Sequence, residues 1–348
     1  MPAQELKVKN RTCYFRKAIT APDINTERVL ARDAFRFALL WLKRNHKGAL
    51  PYWEQARDYY SASRILPPES SPLTSYYCFL NAIKALLIVK EVSFIDRHGV
   101  AGSFSSSKRA LANETIHFKG SGVLSALSGH LREPSTPNEC NLKDALANLP
   151  FIHRAFRHTY RSDGELFIPV SNVVYRKHPF ENRIWLSCKI TGRYADGRTL
   201  NSLPTGLEKD NGFSPDCIVR TTKRIKWHAH NATNDAKASA VGRLRRFHQE
   251  WRRRFVYISS SPDLWYIKRG ASARIINRYQ ITIIAAAMHR LSELSRYDPE
   301  GLKRYLDGKD NWLLTEFIEL SPAQFIDELV CEMTGMDFST PGLRPLSV

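Results

Sequence analysis

Residues Ser71–Val89 read SPLTSYYCFLNAIKALLIV. Ser71 suits an N-cap and Pro72 the first helical position, where a missing N–H costs nothing, and an almost wholly apolar run follows. A helix that is apolar on most of its faces has no side to offer water, so it belongs at the centre of a bundle. Two amphipathic segments precede it. From Thr26, TERVLARDAFRFALLWLKRNH sets Val29, Leu30, Ala34, Phe37, Ala38, Trp41 and Leu42 on one stripe of period 3.6, with Thr26 as its cap. Residues 53–66, WEQARDYYSASRIL, predict a second helix stopped by Pro67-Pro68.

Beyond the apolar helix the chain turns polar. Arg97-His98-Gly99-Val100 leads into a Ser/Gly-rich loop, and Gly120, Gly122 and Gly129 allow only a short helix within 117–131. A turn-rich linker at 133–141 precedes a short predicted helix over 142–158. The period then changes. Segments 165–176 (ELFIPVSNVVYR), 183–194 (RIWLSCKITGRY) and 217–227 (CIVRTTKRIKW) are rich in Val, Ile, Thr and aromatics, with turn signals such as Ala195-Asp196-Gly197 between them. They predict antiparallel strands, and 254–259 and 264–268 extend the set. Helix returns from Ala273, reopens at Asp298-Pro299-Glu300, and starts once more at Ser321-Pro322, with Gly335 placed as a C′ residue. The expected fold class is α+β: a helical bundle with an inserted antiparallel β-sheet and a C-terminal helical segment. Its parts are a basic N-terminal arm (1–25), a helical region (26–160), a β-rich region with a basic tract (161–270) and a C-terminal helical region packing back on the bundle (271–348).

The chain has 348 residues, 43% hydrophobic and 11% aromatic, which is enough for a core and excludes wholesale disorder. No uncharged apolar stretch reaches the roughly 20 residues of a bilayer span, and the N-terminus has no apolar export segment, so no membrane partner and a cytoplasmic location are expected. The six cysteines are scattered without a CxxC pair, which excludes a zinc ribbon or thioredoxin-type motif and predicts buried, reduced thiols. His228-Ala229-His230 would share one strand face, yet no Cys or acidic ligand follows at useful spacing, so no metal and no cofactor are expected. The loop HFKGSG at 117–122 has neither Walker nor Rossmann spacing.

Charge is the strongest chemical signal. Lys and Arg number 52 against 34 Asp and Glu, a net of +18. Between Arg220 and Arg254 lie eleven cations and two acids, with Trp227, Phe247 and Trp251 interleaved. Clustered guanidiniums beside aromatics suit a phosphate backbone and stacked bases. The candidate nucleic-acid-binding residues are Arg220, Lys223, Arg224, Lys226, Trp227, Arg243, Arg245, Arg246, Trp251, Arg252, Arg253 and Arg254, with RNA or single-stranded DNA favoured. The rival readings are a solvated face, or arginines that dock an acidic protein partner or a second copy of the chain. Outside the tract, Arg97 and His98 either line a pocket at the mouth of the bundle or serve the loop structurally.

Three segments together resemble the YaaC family of largely uncharacterised bacterial proteins: ARDYYSASRILPPESSPLTSYYCFLNAIKALL at 56–87, Arg97-His98-Gly99, and MHRLSELSRYDPEGLKRYL at 288–306. The N-terminal part is also similar to the helical HEPN domains. That resemblance implies a defence or stress role and a metal-independent ribonuclease whose Arg, four to six residues before a His, holds the scissile phosphate while the His moves a proton. Arg243…His248 and Arg224…His230 fit the spacing. With 33 arginines and 11 histidines, chance alone gives about three such pairs, so spacing selects neither. The catalytic candidates are Arg243, His248, Arg97 and His98. The expected function is a nucleic-acid-associated intracellular protein, with the ribonuclease and a non-catalytic subunit as alternatives.

Overall fold

The computed structural model describes residues 3–104, 106, 108–260, 263–270, 272 and 274–339. Eleven α-helices run in chain order through them: Ala34–Asn45 (α1), Leu50–Ser63 (α2), Ser71–Val89 (α3), Val123–His130 (α4), Leu142–Ala147 (α5), His153–Thr159 (α6), Gly197–Asn201 (α7), Asn234–Arg252 (α8), Gln280–Tyr297 (α9), Pro299–Asp307 (α10) and Asn311–Thr334 (α11). The class is α+β. Two compact units divide the chain: a helical unit of 30–165 and 274–334, and a β-rich unit of 1–29, 166–273 and 335–339.

In the helical unit α3 lies at the centre, packed against α2, α4, α9 and α11. Its apolar run is buried on nearly every face, and Phe79 stacks on Phe325 of α11 at 4.1 Å. By length and composition α3 is the one described helix that could cross a membrane, but 78% of its most apolar window is buried inside the protein. Several boundaries differ from expectation. The first helix starts at Ala34, because Asp33 and not Thr26 caps it, its carboxylate accepting from the backbone N–H groups of Phe35 and Arg36. Ser71 does not cap α3; its hydroxyl donates to the Ser63 carbonyl at 3.1 Å and ties the end of α2 to the start of α3. Nor does Ser321-Pro322 open a helix, since α11 continues through Pro322. A proline removes one ladder bond, a cost that burial of the flanking residues offsets here. A three-stranded antiparallel sheet, Val100–Phe104, Glu114–Phe118 and Glu139–Asn141, completes this unit.

The β-rich unit holds one eight-stranded antiparallel sheet. Its main order is Leu207–Lys209, Ile218–Thr221, Arg183–Ile190, Phe167–Lys177, Leu264–Lys268, Phe255–Ile258. Gln4–Glu5 pairs with the end of the 167–177 strand, and Ile225–Lys226 with the start of the 183–190 strand. Helix α8 lies over the sheet, burying Ala240, Leu244, Phe247 and Trp251, a stripe at helical period.

Segment 1–25 is not an arm: its described residues are built into this unit. Leu6, Cys13, Phe15 and Ile24 belong to the unit's core. Lys17, 1% exposed, meets Asp263 at 3.0 Å and donates to the Phe338 carbonyl, while its backbone N–H donates to Asp337. Polar, basic composition hid a continuous run of buried positions from Phe15 to Ile19, with Arg16 and Lys17 among them.

Candidate functional site

Charge is divided unequally. The β-rich unit carries 26 Lys/Arg against 12 Asp/Glu, a net of +14, and the rest of the chain carries 26 against 22. Within the β-rich unit the 220–254 tract spans strand, turn and the whole of α8, so its side chains meet different fates.

Some expectations are corrected. Trp227, Phe247 and Trp251 are 4%, 2% and 9% exposed and belong to the hydrophobic core, so they offer no stacking platform. Arg252 is buried as well; its Nε donates to the Lys17 carbonyl and its Nη1 to the Phe255 carbonyl. Arg220 is partly neutralised, 2.9 Å from Glu208 and 3.8 Å from Asp210. Arg243 and His248 are not a catalytic pair. His248 donates from Nε2 to the Ala18 carbonyl at 2.7 Å and shares a 2.9 Å bond between Nδ1 and the Tyr175 hydroxyl. Arg243 donates instead to the Lys226 carbonyl and Ser239. Helical phase separates them: His248 lies with the core stripe, while Arg243 lies beside it.

Cations outnumber acids among what stays outward. Arg245 and Arg246 are exposed on α8, Lys223 and Lys226 on the turn and short strand beside it. Lys223 meets Glu250 at 2.9 Å, an exposed pair of little energetic weight. Arg253 and Arg254 are half-buried, and burial with the neighbouring Arg253 lowers the Arg254 guanidinium below its ordinary range. Sequence reasoning missed Trp185, which organises part of this face: Arg220 and Arg224 lie over its ring at 5.5 and 5.0 Å. Its signal would have been the sheet register, which sets Arg220 opposite Ser187.

The helical unit holds a different arrangement. On α9, His289, Glu293 and Arg296 recur at the spacing that shares one face. His98, on the loop after α3, bonds through Nδ1 to the Tyr76 hydroxyl at 2.9 Å, and its ring centroid is 5.3 Å from that of His289. Burial lowers the His289 pKa to about 4 despite Glu293 Oε1 at 3.8 Å, and its Nδ1 has no hydrogen-bond partner among the described residues. His98 is lowered too, first by burial and then by the Arg296 charge, while burial raises the Tyr76 hydroxyl. Glu293 is held by the Gly102 N–H and Arg290, and Arg290 grips Glu114 through Nε and Nη2 at 2.9 and 2.6 Å. The result is a neutral imidazole beside a second one, a tyrosine hydroxyl and a guanidinium, which is a set able to exchange protons near an anion. Arg97, by contrast, is exposed on the loop. Among the described residues no group of three His, Cys, Asp or Glu is placed to hold a metal ion.

A family model described as YaaC-like Protein matches residues 13–333. The chain belongs to the YaaC-like family. In this YaaC-like protein the match includes helical and β-rich segments, and it runs through the basic tract, beyond the three segments that carry the resemblance in sequence. No curated protein and no solved structure matches the chain.

Proposed function

We propose that this YaaC-like protein binds nucleic acid, RNA or single-stranded DNA, on the cationic face of its β-rich unit. The observation that carries the reading is the segregation of charge, +14 of the chain's +18 in that unit. Burial of Trp227, Phe247 and Trp251 shifts the expected contact away from base stacking and towards the phosphate backbone. Such contact releases counterions, so affinity falls with salt on a log–log slope of about −0.7 per phosphate contact for single strands. Filter binding of a single-stranded oligonucleotide across a salt series tests it. A steep slope supports the reading; no affinity at low salt, or a flat slope, overturns it. An acidic protein that copurifies in fixed stoichiometry with no nucleic acid would favour the subunit reading instead.

A second reading rests on the His98–Tyr76–His289 cluster: a metal-independent acid–base centre acting on a phosphodiester, of the kind the HEPN-like resemblance implies, with a defence or stress role. Total RNA incubated with chelator and the wild-type chain tests this one. RNA that stays intact ends it, and cleavage lost in His98→Ala supports it.

A further inference from the structure

Where the Gln4–Glu5 strand, the turn after Lys177 and the segment following Lys226 meet, the β-rich unit holds a cavity of about 590 Å³. That volume lies within the range that takes small ligands. Lys7, Lys177, His178, His228 and His230 line it, with Glu5 as the one acidic residue among its walls. Neither lysine has an ion pair among the described residues. Glu5 is already engaged, accepting from the Thr12 hydroxyl at 3.1 Å.

The imidazoles are oriented by their own backbone bonds. His178 Nδ1 accepts from the N–H groups of Phe180 and Glu181, which puts the proton of the neutral ring on Nε2 as a donor. His228 Nδ1 donates to the Ala229 carbonyl at 2.8 Å, so its Nε2 accepts when neutral and donates when protonated. Leu6, Pro179 and Trp227 supply the apolar share of the wall, and the Trp227 ring lies 4.7 Å from that of His228. With Leu6 and Trp227 held in the core, the lysines and imidazole donors are the groups that face a ligand, and they fit an anionic one such as a phosphate. The cavity also adjoins the cationic face, since Lys226 precedes Trp227 and its carbonyl takes the Arg243 guanidinium.

From this geometry we infer that the cavity binds the phosphate of a nucleotide, held by Lys7, Lys177 and His178. In the setting of the proposed function, on which this assignment rests, the ligand is the terminal nucleotide of a bound single strand. A free mononucleotide offers the same chemistry.

Fluorescence anisotropy on the full chain separates the cases, using one internally labelled oligonucleotide with a 5′-phosphate, a 3′-phosphate or hydroxyls at both ends, and isothermal titration calorimetry reads AMP binding directly. A terminal phosphate should tighten binding about ten-fold, the order expected of a few charge-assisted hydrogen bonds. The Lys7→Ala/Lys177→Ala double variant should lose that gain while binding the hydroxyl-ended strand as before. Arg245→Ala/Arg246→Ala should weaken all three strands alike. Equal affinity for the three ends, with salt-dependent binding intact, overturns the cavity assignment and leaves the cationic face standing. AMP binding that Lys7→Ala/Lys177→Ala abolishes, without any binding of strands, supports the cavity and overturns the face. Absence of binding to strands and AMP overturns both.

Discussion

In the helical unit cations and acids are close to balanced, and several pairs are internal: Arg290 grips Glu114 and Glu293, Arg278 reaches Glu133 at 3.2 Å, and Lys143 meets Asp163 at 3.1 Å. In the β-rich unit 26 cations face 12 acids, so at least 14 have no acid of their own unit to neutralise them. A charge locked in a low-dielectric interior is a matter of stability, and one left on the surface is a matter of what approaches. The same residue types therefore call for opposite experiments.

The sharpest break in that comparison is Glu114→Gln. Glu114 is fully buried and accepts from Arg290 and from the Tyr305 hydroxyl at 2.7 Å. Removing its charge leaves the buried guanidinium with Glu293 but without its stronger partner, and urea titration should show a loss of about 3 kcal/mol. A loss under 1 kcal/mol would mean that water already reaches the pair. A contrast inside α8 follows. Arg252→Ala removes the guanidinium that bonds the Lys17 and Phe255 carbonyls and should cost about 2–4 kcal/mol, whereas Arg245→Ala/Arg246→Ala should change stability by no more than about 0.5 kcal/mol while reducing the salt slope of binding. Equal effects of the two changes on the melting temperature would erase the distinction between structural and presented arginines.

A further contrast is set by pH. His289, facing Glu293 and His98, titrates at about 4 in the fold, below the ordinary histidine value of about 6.5. The unfolded chain therefore binds the extra proton first. Stability should fall as pH drops from about 6.5 to about 4 and level off below, by about 3 kcal/mol in all from this group. His289→Gln should flatten that part of the profile; an unchanged slope would place the titration elsewhere.

These contrasts also mark what the sequence discloses. The apolar helix at 71–89 was legible because no arrangement but burial suits a segment without a polar side. The 264–268 strand and the Gly335 terminus were legible for local reasons, a run of aromatic and β-branched residues in one case and a glycine just past a helical segment in the other, where the structure has a φ of +73°. By contrast, Trp227 and Trp251 read as a platform because they neighbour arginines along the chain. Only the phase of Ala240, Leu244, Phe247 and Trp251 reveals a core stripe. Pro322 carries the same local signature whether it opens a helix or interrupts one, and packing decides between them. The cavity at Lys7, Lys177 and His228 was invisible, since three distant segments build it and none carries a motif.

Because the first 29 residues and residues 335–339 both complete the unit that 166–273 dominates, neither unit is a continuous piece of chain. On the ribosome, the strand at Gln4–Glu5 waits for its partner at Lys177 and Arg176, and Lys17 waits until Asp337 has been made. The cationic sheet built by 167–268 therefore lacks its last partners until the 335–339 segment has been made. Pulse-labelled nascent chains should gain protease resistance in the β-rich unit only after residue 339 has emerged.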